Sequence, residues 1–125
     1  MSRKLLTFGY DACHRWAVLR LAGFTVHACQ SIGELRDQLI TSRDLDAVLM
    51  VEDIVSIPPE AIVAARSYFE GPLVLFENRP QPLQTSAFDL SIPALTAPHE
   101  WLALIESTIQ KTHSHFAPQH IKQRS

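Results

Sequence analysis

Asp46-Ala47-Val48-Leu49-Met50-Val51-Glu52-Asp53 sets five apolar residues in a row behind one acid and ahead of two. A short apolar run with polar ends is the pattern of a strand buried on both faces, as in the middle of a parallel sheet, where helices cover both sides. In an open α/β sheet the binding crevice lies at the carboxyl ends of the strands. Glu52 and Asp53 therefore stand where such a fold does its work.

Working back from this strand, Ser31-Ile32-Gly33-Glu34 is a capping box, and Ile32, Leu35, Leu39 and Ile40 follow as an apolar helical stripe. Ahead of it, Phe24, Val26 and Ala28 alternate with Thr25, His27 and Cys29, the pattern of a strand at a sheet edge. Asp11 can cap a helix over Ala12 to Ala22, which Gly23 closes, and Leu5 to Phe8 form a first buried strand. Working forward, Ser56-Ile57-Pro58-Pro59-Glu60 opens a helix with Ile62, Ala65 and Phe69 inward, and Gly71-Pro72 stops it. Leu73 to Phe76 read as a fourth strand ending at Glu77. Prolines at 80 and 82 argue against a full helix in the next segment. Phe88 to Ile92 form a weaker fifth strand, with Pro93 suited to an edge. Thr96 and Pro98 open a last helix carrying Trp101, Leu102, Ile105, Thr108, Ile109 and Thr112 along one face. From His113 the pattern dissolves, so residues 1–112 read as one domain and 113–125 as a flexible tail.

Strand and helix thus alternate five times, with the fourth helix shortened. Parallel strands with right-handed crossovers give a flavodoxin-like three-layer α/β sandwich, for which 2-1-3-4-5 is one strand order.

The composition is that of a single globular domain: 125 residues are enough for a core without disulfides or metal. A formal net charge of −2 and the lack of any Lys/Arg block give no attraction to nucleic acid or to a membrane surface. Leu5 to Phe8 are too short for a signal peptide or a span, so the expected location is cytoplasmic. Cys13 and Cys29 read as reduced thiols.

The chain resembles the receiver domain of bacterial two-component response regulators, over roughly residues 4–112 on the size of a domain. The likeness rests on the Leu19-to-Gly23-Phe24-x-Val26 junction, Ser31-x-x-Glu34-Leu35, the Asp46-to-Val51 strand and Pro72-Leu73-Val74-Leu75-Phe76. In that family an acidic pair after the first strand holds Mg²⁺, and an aspartate ending the third strand accepts a phosphoryl group. A Ser or Thr ends the fourth strand, and a Lys followed by a cis-Pro ends the fifth. Metal and lysine neutralise oxygens that would otherwise repel the incoming group. Carried over, the acidic pair falls on Gly9 and Tyr10, with Asp11 one place late. The acceptor falls on Val51, with Glu52 and Asp53 displaced by one and two residues, the hydroxyl on Glu77, and the lysine near Ala94. The resemblance therefore implies a degenerate receiver: a stand-alone signalling and protein-interaction module of phosphorelay-type signal transduction, not itself phosphorylated. The alternative is an atypical receiver regulated by phosphorylation or by Mg²⁺ at Glu52 or Asp53.

Other chemistry is weighed against plain structural roles. Asp11, Glu52 or Asp53, and Glu77 form a remnant acidic pocket that could hold Mg²⁺ or Ca²⁺, but Asp11 has an independent capping role, and no resident metal or other cofactor is expected. Cys13, His14, His27 and Cys29 offer soft ligands without a C-x-x-C spacing, so packed thiols and surface imidazoles are the expected reading. The tail histidines His113, His115 and His120 read as solvated. No G-x-S-x-G, glycine loop or nucleophile–base pattern marks an enzyme. In receiver-like folds the surface around the fourth helix, fifth strand and last helix is the usual docking face, which makes Trp101 a candidate interaction residue and a protein partner or a homodimer the expected association.

Overall fold

A computed structural model describes residues 3–11, 13–52, 57–78 and 87–116. In chain order these form β1 (Lys4–Phe8), α1 (Arg15–Leu21), β2 (Thr25–Cys29), α2 (Ile32–Thr41), β3 (Ala47–Val51), α3 (Pro59–Tyr68), β4 (Leu73–Phe76), β5 (Leu90–Ile92) and α4 (Pro98–Phe116). The strands make one parallel sheet in the order β2-β1-β3-β4-β5. This is the flavodoxin-like sandwich.

β3 lies at the centre because every one of its residues is buried. Its side chains alternate between two cores. Ala47, Leu49 and Val51 join Trp16 and Leu19 of α1 and Trp101, Ile105 and Ile109 of α4. Val48 and Met50 join Leu35 and Leu39 of α2 and the alanines of α3. Acids placed just ahead of strands set the register. The Lys4 N–H donates to Asp46 Oδ2 at 2.8 Å, tying β1 to the start of β3. In the same way the Leu73 N–H donates to Asp89 Oδ2 at 2.8 Å, and Arg66 pairs with that carboxylate at 2.9 Å.

Several sequence expectations shift. α1 begins at Arg15, not Ala12, because His14 takes a left-handed conformation with φ 56°, which no helix interior accepts. β5 is shorter than expected, since Asp89 is spent on the β4 backbone. Ile40 is exposed: one residue beyond Leu39 is 100° further round the helix, away from the seam that Leu35 and Leu39 define. α4 continues to Phe116, past the boundary expected at 112. Residues 117–125 of the expected tail, and 79–86 of the expected short fourth helix, lie outside the described residues.

Candidate functional site at the carboxyl edge of the sheet

The site is built from the residues that follow β1, β3, β4 and β5. After β1 the chain turns at Gly9, whose φ of 116° belongs to glycine and whose N–H donates to the Cys29 carbonyl at 3.4 Å. A Cβ at Gly9 would stand 2.9 Å from the Val51 carbonyl oxygen, so β1 and β3 meet here without room for a side chain. Tyr10 is exposed. Asp11 accepts from the N–H groups of Arg15 at 2.7 Å and Trp16 at 2.9 Å, capping α1 across the intervening loop. Its two oxygens are thereby occupied with the helix start.

β3 ends on Val51, which is 4% exposed and packs into the α1/α4 core with Phe76 and Trp101. Glu52 follows, its N–H donating to the Phe76 carbonyl at 2.9 Å. The residue is 5% exposed, and among the described residues Oε1 is buried without a hydrogen-bond partner. Asp53 lies outside the described residues. β4 ends on Phe76, whose ring meets Trp101 edge-on at 5.2 Å and Trp16 at 6.1 Å. The Arg15 guanidinium lies 4.7 Å from the centre of the same ring. Glu77 is half-buried, and its N–H donates to the Ile92 carbonyl at 2.8 Å. β5 ends at Ile92, directly ahead of Pro93 and two residues short of Ala94, near which the resemblance puts the lysine; both Ile92 and Ala94 are apolar.

The carboxyl end of the sheet is therefore filled by buried aromatic and aliphatic side chains, with acids at its margin. Among the described residues, Asp11, Glu52 and Glu77 do not gather into a group of metal-ligand geometry. Trp101, the candidate interaction residue, is 3% exposed and shares the buried face of α4 with Ile105 and Ile109. A hollow of about 640 Å³, lined in part by Arg3, Phe24, Leu102 and Glu106, lies at the opposite end of the sheet.

A second cluster was only half legible in the sequence. His27 and Cys29 of β2 come together with Glu34 of α2, their ligand-capable atoms all within 4.8 Å of one another, while Cys13 and His14 stay apart from them. The sequence marks Glu34 only as half of a capping box. That role is present: its N–H donates to Ser31 Oγ at 3.1 Å, and Oε1 accepts from the Gln30 N–H at 3.0 Å.

No protein-family model and no curated protein matches the sequence. Solved structures do match. A CheY-like response regulator receiver domain protein from Methanospirillum hungatei superposes with a TM-score of 0.73 at 13% identity, covering 92% of this chain and 99% of that one. Full-length FixJ from B. japonicum gives a TM-score of 0.79 at 16% identity, over 99% of this chain and 66% of that one. A structure described as adenylate cyclase from Rhodopirellula baltica gives 0.76 at 14% identity, over the whole of both chains. With the strand order and the two-sided helical cover, these superpositions establish that the chain has the fold of response-regulator receiver domains.

Proposed function

We propose that the protein is a receiver-type module of two-component, phosphorelay-type signalling that acts by binding another protein, without accepting a phosphoryl group and without catalysis of its own. The observation that carries this reading is Val51. The position given to the acceptor aspartate holds a side chain with no nucleophilic oxygen, and its methyl groups are part of the α1/α4 core. Around it, Gly9 and Tyr10 offer no metal-binding acids, Glu77 brings negative charge where a neutral hydroxyl is used, and neither Ile92 nor Ala94 brings positive charge. Every position that would neutralise an incoming phosphoryl group is thus altered in the same direction. Fold alone does not carry activity, and structures of this shape include ones described by enzyme names. Among the described residues no helix is long and apolar enough to cross a membrane.

A second reading is favoured by one observation. Among the described residues the buried Glu52 Oε1 has no hydrogen-bond partner, and a divalent cation shared with Asp53 would supply one.

Thermal unfolding with and without Mg²⁺ and beryllofluoride separates the two. A ligand at a hundred times its dissociation constant stabilises a fold by about 2.7 kcal/mol, a shift of several degrees. No shift is expected. A shift abolished by Glu52→Gln or Asp53→Asn would establish the second reading instead.

A further inference from the structure

We propose that His27, Cys29 and Glu34 form a binding site for a thiophilic divalent metal ion such as Zn²⁺, joining the edge strand β2 to the helix packed on it. His27 and Cys29 are two residues apart on a strand and so share one side of the sheet, the side that carries α2 and α3. Glu34 sits in the first turn of α2, and the capping box fixes its carboxylate: Oε1 accepts from the Gln30 N–H at 3.0 Å. The other oxygen, Oε2, is left facing His27 Nε2 at 3.9 Å. That is beyond hydrogen-bond reach. It is close to the separation of about 3.4 Å between nitrogen and oxygen ligands of a tetrahedral zinc with bonds of about 2.0–2.2 Å.

Cys29 completes the set from below. Its side chain is wholly buried, while those of His27 and Glu34 are 48% and 43% exposed, so an ion held by all three would lie between the thiol and solvent. Burial, with a smaller contribution from the Glu34 charge, pushes the thiol up to about 12, so the free site holds a proton that the metal must displace. The exchange is Cys29–SH + M²⁺ → Cys29–S⁻–M²⁺ + H⁺. The thiolate then gains a cation beside it in place of a carboxylate alone. One sulfur, one imidazole nitrogen and one carboxylate oxygen suit Zn²⁺ or Co²⁺, whereas Mg²⁺ and Ca²⁺ require oxygen ligands throughout. Three protein ligands leave a fourth, outward position for water.

The test is titration of the reduced, full-length protein with Co²⁺, following the thiolate-to-cobalt charge-transfer absorption, then displacement by Zn²⁺. One ion per chain with that absorption is expected. Cys29→Ser should abolish the band while circular dichroism shows the fold retained. His27→Ala, at an exposed position, and Glu34→Gln, which keeps the capping oxygen, should each weaken binding by at least about tenfold. Cys13→Ser should change nothing. The tail histidines have no thiolate and cannot give the band. Its absence in the wild-type protein, its survival in Cys29→Ser, or an affinity unmoved by both His27→Ala and Glu34→Gln would overturn the assignment.

Discussion

At Gly9 the space between two strands decides what chemistry the edge can regain. A Cβ there would meet the Val51 carbonyl at 2.9 Å, and the backbone φ of 116° disfavours any L side chain. Gly9→Ala is therefore expected to cost more than about 1 kcal/mol in urea unfolding. Gly9→Asp, which would return one acid of a metal-binding pair, should cost at least as much. Val51→Asp would restore an acceptor only by placing a carboxylate in an aromatic core, at a cost of at least about 3 kcal/mol. Neither variant, nor the two together, should take up phosphate from a small phosphodonor; labelling of the double variant would show that the edge is more adaptable than its packing implies. Asp11 is a simpler case. Its carboxylate serves two N–H groups of α1, so Asp11→Ala should lose about 1–2 kcal/mol in the same assay, and Asp11→Asn, which keeps one acceptor oxygen, should lose less.

The elements differ in how far their sequence betrays them. β3 and β4 are continuous apolar runs and could be placed from the chain alone, as could α2 from its capping box and the inner face of α4 from its spacing. That same spacing puts Trp101 four residues before Ile105 and eight before Ile109, a core position, and all three are buried. The start of α1 was not legible, because its cap acts through a loop in which His14 takes a left-handed conformation that no residue pattern announces. Nor was the meeting of His27, Cys29 and Glu34, which depends on how α2 lies over the edge strand. The aromatic group at the end of β4 is likewise a product of three elements. Phe76 is held between Trp16 of α1 and Trp101 of α4, so it fastens both helices to the sheet. Phe76→Ala should cost about 3–5 kcal/mol by chemical denaturation. Near-neutral behaviour would mean that the two tryptophans close over the vacated space.

The stability of the molecule as a whole carries the titration of Cys29, and the sign follows from where that residue sits. The thiol at the end of β2 is pushed from its ordinary 9.0 up to about 12, first by burial and then by the charge of Glu34. The folded protein therefore holds this proton more tightly than the unfolded chain does. Below about pH 9 both states are protonated and the stability is whole; between about 9 and about 12 the unfolded chain releases the proton while the fold keeps it, and stability falls as the pH rises. Cys29→Ala removes the thiol from both states. It should be less stable than the wild type near neutral pH, because it leaves a small cavity, and the gap should narrow as the pH rises through that window. Urea unfolding of the two proteins in metal-free buffer, at about pH 8 and about pH 10.5, isolates the effect, since every other titrating group is common to both. A gap of constant size would mean that the folded thiol ionises as readily as a free one, and that water reaches it in the fold.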